Sequence, residues 1–553
     1  MEIKRAIKLS IENIKKEGLT DIFDRPFEID LLENAFFVKK LEKNIEKSIS
    51  LANLEISNIA HVLLPKNTAF SFRKCALIQP LDTLKYTALV LSIADIIEKK
   101  RIPLRHKRVF SYRFKPTQGY LFNNNYNITA FRNNTSKRVK KRGVNFVVTC
   151  DVSNFYDRIN LHRLENTLLS MECDRVHVKL LNDLLMTWSE RDSYGLPVGS
   201  NASRILAEAS LIGVDNYLQS MGVDFIRFVD DYRFFAPTAK MAHYWMTILI
   251  ERLEQEGLSI NTAKTSINDT VAYEKKIEKS KESVVNNEVN SLNVIEKNGE
   301  IEKLFENKQK MRATIRAGYG GTVPTRFREL SIREKENLEK EDFSIIYKSL
   351  HVDKLIKPED FIKAIKVCVA QNLYEEIVNL LPLLENFLQI TPYYVDVLIK
   401  NAVHFSEKQK REVRDFFRRE LTKKEYIPEY LVLAYVRLLG TEDFADKEVL
   451  FKCFRNLKRN SGVYEGRAIL DSICKLINGL NDRERVIEIR KSFQRADLWE
   501  KRQITNIVKR VLNSEEFRPW AKTIKQLNPG DMFLLEIIEP SKDKRKRRKK
   551  NSR

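Results

Sequence analysis

Residues 225–236 read FIRFVDDYRFFA, so two largely apolar runs meet at a pair of aspartates, Asp230 and Asp231. Short apolar runs on either side of a polar pair are typical of a β-hairpin. A second apolar stretch, residues 144–150, leads directly into Asp151. Helix-like stretches around 161–189 and 201–219 lie between the two. We therefore predict an α+β core whose strands bring three carboxylates to one edge of a sheet.

Three carboxylates at one sheet edge suit Mg²⁺, which prefers hard oxygen ligands and needs few of them from the protein. Phosphoryl transfer to a hydroxyl uses two such ions: one lowers the pKa of the attacking hydroxyl, and the other neutralises the leaving pyrophosphate. We predict that Asp151, Asp230 and Asp231 hold two Mg²⁺ ions, for which Mn²⁺ can substitute. An Asp-Asp turn alone is more often a solvated hairpin tip, so the prediction depends on the surrounding sequence.

Six segments resemble motifs of reverse transcriptases and occur in the order found in that family, across residues 60–270. Residues 73–89 (RKCALIQPLDTLKYTAL) resemble the fingers motif, and residues 109–116 (VFSYRFKP) resemble the SYxFRP element of bacterial intron and retron enzymes. Residues 151–159 (DVSNFYDRI) resemble motif A, and residues 195–211 (GLPVGSNASRILAEASL) resemble motif B. The FVDD sequence resembles the YxDD box with Phe228 in place of Tyr, and residues 257–265 resemble motif D.

The resemblance implies roles for individual residues of a nucleotidyltransferase that uses dNTPs. Asp151 and Asp230 would bridge the metal ions, with Asp231 in support. Tyr156 would exclude ribonucleotides by collision with the 2′-hydroxyl, and Lys264 would donate a proton to the pyrophosphate. The residues implied in nucleotide binding are Gly199, Ser200 and Asn201 under the nucleotide and template, and Arg73, Lys74 and Arg113 at the triphosphate.

Charge and composition favour a nucleic-acid partner. The chain has 553 residues and a formal net charge of +22. Lys and Arg release counterions from a phosphate backbone, which favours binding to polyanions. The six cysteines form no CxxC pair, which is typical of a reducing compartment. With no long apolar run and no secretory leader pattern, we expect a bacterial cytoplasmic protein without a membrane-spanning segment.

The chain is predicted to divide into four parts. Residues 1–272 would form the reverse-transcriptase fingers and palm, and residues 273–335, rich in Lys, Glu and Asn, a linker or atypical thumb. Residues 336–540 are predicted to form an all-α domain, because helical periodicity and helix-start signals, such as the capping box formed by Ser406 and Gln409, recur with short connections. This domain resembles a HEAT-like helical repeat. Residues 541–553 are a basic tail without apolar residues and are predicted to be disordered.

A palm followed by a helical-repeat domain resembles the bacterial abortive-infection reverse transcriptases (the AbiK and AbiA type) and the unknown-group defence-associated enzymes. We find no thumb with a primer-grip hairpin in the sequence. The resemblance implies antiphage defence, DNA synthesis that is protein-primed and non-templated, and a homo-oligomer. The hydroxyl residues considered as protein primers are Ser10, Thr20, Ser48, Ser50, Tyr393, Tyr394, Tyr426, Tyr430, Tyr435 and Tyr464.

Two alternatives stay open from the sequence. The first is a retron- or intron-like enzyme that copies a dedicated structured RNA, for which basic residues in 99–115 and 137–142 would suit a non-coding RNA partner. The second is a non-catalytic nucleic-acid-binding scaffold. The complete set of three aspartates counts against the scaffold.

Overall fold

The computed structural model describes residues 1–20, 24–66, 71–189, 192–274, 327, 329–352, 358–423, 426–456, 464–477 and 479–542. The chain divides into two compact units. The first comprises Met1–Ile59 and Ile78–Arg316, and the second comprises Ala60–Leu77 and Ala317–Arg553. Most of the predicted linker and of the basic tail therefore lies outside the described residues.

The strands are β1 Ala60–Pro65, β2 Phe72–Leu77, β3 Phe114–Thr117, β4 Tyr120–Phe122, β5 Phe146–Asp151, β6 Phe225–Phe228, β7 Asp231–Ala236 and β8 Ser266–Asp269. Strands β5 to β8 form the central sheet of the first unit, in the order β6-β7-β5-β8. All its neighbouring pairs are antiparallel. The predicted hairpin at Asp230 is thus the pair β6–β7, and the predicted strand before Asp151 is β5.

Strands β5, β6 and β7 of the central sheet are largely buried, which explains why they are mostly apolar, whereas the edge strand β8 is partly exposed and mostly polar. Phe225, Phe234 and Val148 have no exposed surface, and Phe235 is nearly as buried. The helix Ala239–Gln255 packs on β5 and β7, and the helix Ile128–Val139 packs on β6 and β7. Burial of such side chains contributes about 1.5–3 kcal/mol each, so the sheet is a rigid base for residues at its ends.

The α-helices of the first unit match the predicted helical stretches with small shifts at their ends. Residues 161–189 form two helices rather than one, as do residues 201–219. The helices are Ile3–Glu17, Ala35–Ser50, Pro80–Lys100, Ile128–Val139, Phe155–Arg158, Leu161–Ser170, Arg175–Ser189, Asn201–Ser210, Ile212–Ser220 and Ala239–Gln255. Short 3₁₀ turns lie at Phe27–Glu33, Leu104–His106 and Thr262–Lys264.

The second unit is helical, as predicted, apart from the hairpin β1–β2. Its α-helices are Ile332–Leu338, Phe343–Val352, Pro358–Ala370, Tyr374–Asn379, Thr391–Lys400, Glu407–Thr422, Glu429–Leu439, Lys447–Asn456, Glu465–Leu476, Arg483–Lys491, Leu498–Val511, Ser514–Leu527 and Met532–Ile538. The predicted capping box at Ser406 and Gln409 is confirmed. None of the helices within the described ranges combines the length and apolar character needed to cross a bilayer.

The hairpin β1–β2 belongs to the second unit, although its sequence lies within the predicted fingers. Strand β1 packs on the helix Glu429–Leu439. The rings of Phe72 and Tyr430 lie 5.8 Å apart between centroids. Local sequence gives no sign of this partnership, because the contacting residues are far apart in the chain.

Candidate active site

The turn between β6 and β7 places Asp230 beside the end of β5. Val229 adopts a left-handed backbone with φ of +56°, a conformation that a β-branched residue rarely adopts. The turn is held from both sides: the Val229 carbonyl accepts a 2.7 Å bond from Arg227 Nη1, and the Asp230 carbonyl accepts a 3.0 Å bond from the Val152 amide. The second bond joins the residue after Asp151 directly to Asp230.

The three predicted carboxylates come together at this end of the sheet. Asp151 lies opposite Asp231 in the pairing of β5 with β7. Lys264 Nζ lies 3.2 Å from Asp151 Oδ2, and Arg233 Nη2 lies 2.9 Å from Asp231 Oδ2. Asp230 makes no ion pair with any of the described residues. The charge of Lys264 nevertheless acts on Asp230 and favours its ionised form.

The charge on Asp230 is disfavoured in the metal-free protein. Burial, together with the negative charge of Asp151, raises the pKa of Asp230 to about 7. Burial also raises the pKa of Asp231, although Arg233 opposes the shift. A bound cation would reverse this balance, because an opposite charge at close range favours the ionised carboxylate.

The residues present fit Mg²⁺ bound through two carboxylates. Among the described residues, no group of three Asp, Glu, His or Cys side chains converges closely enough to form a metal site on its own. The Asp231 carboxylate forms an ion pair with Arg233. Mg²⁺ commonly takes only one or two carboxylates and completes its shell with water and substrate phosphates. Asp151 and Asp230 meet that need.

Lys264, the residue predicted to donate a proton, lies beside Asp151. It ends the 3₁₀ turn Thr262–Lys264, which is tied to β5 by a 2.7 Å bond from the Asn261 amide to the Asp151 carbonyl. Its side chain is about two-thirds exposed (66%). The ammonium can therefore reach a charged substrate next to Asp151.

The side chain of Tyr156 is buried rather than open to solvent. It lies on the short helix Phe155–Arg158 and is only 5% exposed. Its ring makes an edge contact with Phe155 at 5.6 Å between centroids. Burial raises the pKa of the Tyr156 phenol well above its usual value, so the hydroxyl stays protonated at neutral pH.

The predicted nucleotide floor is built by a helix start. Gly199 has φ of +123°, a value that favours glycine, and Ser200 caps the helix Asn201–Ser210 by accepting a 3.1 Å bond from the Ser203 amide. The side-chain amide of Asn201 is already hydrogen-bonded within the protein. It donates to Glu17 Oε2 at 2.9 Å and accepts from Arg204 Nη1 at 2.6 Å.

Of the three basic residues predicted at the triphosphate, only Arg113 belongs to the same compact unit as the carboxylates. Arg73 and Lys74 lie on β2, which groups with the second unit. Arg113 is 2% exposed; its Nε lies 2.7 Å from Glu98 Oε1, and its Nη1 donates to the Ile102 carbonyl at 2.9 Å. The structure thus gives Arg113 a buried structural pairing instead of an open place at a triphosphate.

Sequence reasoning missed a group of buried charges behind the Val229 turn. Arg227 is fully buried and pairs with Asp215 and Glu208 at 2.5 and 3.0 Å, and Glu208 also pairs with Arg101 at 2.6 Å. One signal was available: Arg227 interrupts an otherwise apolar strand that ends in the aspartate pair. A charge in such a strand needs a buried partner.

Gly119 in the β3–β4 turn provides a test of the contact between this turn and the N-terminal helix. Its φ is +82°, and a Cβ there would lie 3.0 Å from the Glu12 carbonyl oxygen. We expect Gly119→Ala to lower the free energy of unfolding by about 1–3 kcal/mol, because a left-handed backbone disfavours Ala and the added methyl meets backbone. Urea unfolding followed by circular dichroism measures the change.

Gly143→Ala is the matched control, because Gly143 has φ of +88° and open space around the added Cβ. It should lose less stability than Gly119→Ala. Equal losses for the two variants would show that only backbone conformation matters and that the contact with Glu12 contributes nothing.

Residues 97–283 match the family model described as reverse transcriptase (RNA-dependent DNA polymerase). The matched stretch contains all three aspartates, Tyr156 and Lys264. No curated protein matches the sequence.

Similar solved structures include telomerases of two Candida species. Telomerase from Candida tropicalis with a TWJ fragment of telomeric RNA has a TM-score of 0.30 at 12% identity, over 72% of this chain and 68% of that chain. The corresponding Candida albicans complex has a TM-score of 0.30 at 12% identity, over 78% and 70%. Scores of this size do not establish a shared overall fold. Residues 97–283 are thus similar to reverse transcriptase domains, and this match indicates a nucleotidyltransferase of the reverse transcriptase type with nucleic acid as its partner.

Proposed function

We propose that this chain is a Mg²⁺-dependent DNA polymerase in which Asp151 and Asp230 hold the ions and Asp231 supports them. The observation that carries the proposal is the juxtaposition of Asp151 and Asp231 across β5 and β7, with Asp230 joined to Val152. The bound ions would activate the attacking hydroxyl and neutralise the pyrophosphate. Lys264 stands beside Asp151 and would donate a proton to the departing group.

The test is incorporation of labelled dNTPs by the purified chain, offered primed RNA, primed DNA or no added nucleic acid. We expect incorporation with Mg²⁺ or Mn²⁺ and none in the presence of a chelator. Incorporation that continues under chelation would contradict the metal site. Failure with every substrate would favour the scaffold.

We also propose that the second unit is a HEAT-like array. Its support is the order of packing: Glu429–Leu439 contacts Thr391–Lys400 before it and Glu465–Leu476 after it, and Leu498–Val511 continues the stack. Bonds recur between residues 35 or 36 positions apart. Examples are Ser472 Oγ to the Val436 carbonyl at 3.1 Å and Arg510 Nη1 to the Cys474 carbonyl at 2.9 Å. Other bonds between helices of this unit span 28 to 37 positions. Offsets within such a range are expected when each helical repeat contacts only its neighbours.

A reverse transcriptase palm followed by such an array resembles the abortive-infection enzymes, and this resemblance supports a role in antiphage defence. It also supports self-association through the array. Phage plating on cells that express the wild type or Asp230→Asn tests the role. Protection that needs Asp230 supports defence through DNA synthesis. Equal protection by both proteins, or none by either, would contradict it.

Copying of a dedicated RNA is the second candidate, favoured by exposed basic residues beside the palm. Lys107, Lys140, Lys141 and Arg142 are all exposed in the structure. Sequencing of nucleic acid that co-purifies with the protein separates the two candidates. Protein-linked DNA of biased sequence supports the abortive-infection candidate, whereas one discrete RNA supports the retron-like candidate.

Burial reduces the number of tyrosines in the second unit that could serve as a protein primer. Tyr393, Tyr394 and Tyr435 are buried, and burial raises the pKa of Tyr430 to about 12. Tyr426, in contrast, is 90% exposed. We expect labelled DNA to stay attached to the denatured wild-type chain and to be absent from Tyr426→Phe, because only an accessible phenol can attack a nucleotide.

The control is Tyr435→Phe, which removes a buried hydroxyl and should keep the label. Label on the Tyr426→Phe chain would move the attachment to another exposed hydroxyl, such as Ser50. Label that separates from the wild-type chain on denaturation, without protease, would exclude protein priming altogether.

A further inference from the structure

Two residues beside the proposed site have a left-handed backbone although neither is glycine. They are Tyr112, with φ of +43°, and Val229, with φ of +56°. Val229 directly precedes Asp230, and the ring of Tyr112 lies 6.3 Å from that of Phe228 between centroids. Such backbone conformations are unfavourable for bulky residues and persist only where surrounding contacts enforce them.

The enforcing contacts are of the same kind at both residues. The Tyr112 carbonyl accepts a 2.9 Å bond from Arg101 Nη1, and the Val229 carbonyl accepts a 2.7 Å bond from Arg227 Nη1. Both guanidinium groups are buried, with Arg227 completely so. Hydrogen bonds from a charged donor are stronger than neutral ones, and more so away from water.

A single carboxylate holds both arginines. Glu208 Oε2 accepts from Arg101 Nη2 at 2.6 Å and from Arg227 Nη2 at 3.0 Å. Ser111 Oγ donates to the other oxygen of Glu208. Glu208 is 1% exposed and lies on the helix Asn201–Ser210, whose first turn is capped by Ser200. The helix at the predicted nucleotide floor is thus linked to both left-handed residues through the two arginines.

We propose that Glu208 is a positioning residue that holds the Tyr112 loop and the Val229–Asp230 turn together, so that its own helix, which begins at the predicted nucleotide floor, keeps a fixed spacing to the metal-binding turn. The inference rests on the proposed site at Asp151 and Asp230. Each arginine fixes one backbone carbonyl, and their common carboxylate fixes the arginines relative to each other. A change at Glu208 therefore acts on nucleotide binding and on the chemical step at once.

Asp215 gives a matched comparison, because it is as buried as Glu208 and pairs with Arg227. Within the described part of the chain it makes no hydrogen bond to Arg101. We expect Glu208→Gln to lower kcat by about tenfold to a hundredfold and to raise the KM for dNTP several-fold, since the loss of a buried charge-assisted bond has this size. Asp215→Asn should lower kcat and leave the KM for dNTP within about twofold of the wild type. Rates are divided by the fraction of folded protein.

A merely structural role would reduce the folded fraction of both variants without changing KM. If Glu208→Gln has the KM of the wild type, and the same kcat once the rate is divided by the folded fraction, the proposal is overturned. If Glu208→Gln does not fold, Arg101→Lys decides, because lysine keeps the charge but lacks the planar pair of nitrogens with which Arg101 bonds Glu208 and the Tyr112 carbonyl. It should raise the KM for dNTP more than it lowers kcat, and an unchanged KM would overturn the proposal.

The two hypotheses fail in different ways. Activity retained by Asp230→Asn would refute the site itself. If Asp230→Asn is inactive and Glu208→Gln has wild-type kinetics, only the role of Glu208 is refuted.

Discussion

Asp230→Asn is expected to abolish nucleotide incorporation, with a loss of about a thousandfold or more in kcat. The substitution removes the charge that a metal ion needs while it keeps nearly the same volume. Incorporation of labelled dNTP by purified wild type and variant, at saturating Mg²⁺, measures the loss. Activity above a few percent of the wild type would show that Asp230 is not a ligand of the catalytic ions.

Thermal unfolding separates lost chemistry from lost fold in the same variant. Burial and Asp151 raise the pKa of Asp230 to about 7 in the folded chain, against about 3.9 when unfolded. The folded state therefore binds the extra proton between these values, and this group's contribution to stability falls as pH rises from about 4 to 7. Without metal at pH 8, Asp230→Asn should have a higher Tm than the wild type, and the difference should shrink towards pH 4. A lower Tm would mean that the variant is inactive because it is misfolded.

Tyr156→Ala is expected to reduce the preference for dNTPs over rNTPs by about tenfold to a hundredfold, since a steric overlap of this kind costs about 1–3 kcal/mol. The ring on the helix Phe155–Arg158 would otherwise collide with the 2′-hydroxyl of a ribonucleotide. The ratio of kcat/KM for the two nucleotide classes measures the effect. An unchanged ratio in a folded variant would remove Tyr156 from this role.

Tyr156→Phe is the control, because it keeps the ring and removes only the hydroxyl. It should retain the preference for dNTPs. Tyr156→Ala also leaves a cavity, which costs about 3–5 kcal/mol for a buried aromatic residue. Both variants are therefore compared at a temperature where each is folded.

The sequence predicted the parts of the molecule that depend on neighbours along the chain. The apolar runs that end at Asp151 and Asp230 form strands, and Ser406 and Gln409 form the predicted cap, because strand and cap signals are local. The partners of Asn201 were out of reach, since Asn13 and Glu17 lie 188 and 184 positions away. The same holds for Arg113: its place in a motif predicted a guanidinium at the triphosphate, whereas the structure pairs the buried Arg113 side chain with Glu98 on the helix Pro80–Lys100.

The membership of β1–β2 in the second unit has a consequence during synthesis on the ribosome. The hairpin emerges about 360 residues before the helix Glu429–Leu439 on which it packs, and at about 5–20 residues per second the delay is roughly 20–70 s. A lone two-stranded hairpin is marginally stable in water and offers unpaired edges to other chains. During that interval the palm is synthesised, while the apolar side chains of the hairpin, such as Leu63 and Phe72, lack the helix on which β1 packs. A chaperone that shields residues 60–77 until release would raise the yield of folded protein more than one that acts on the finished chain.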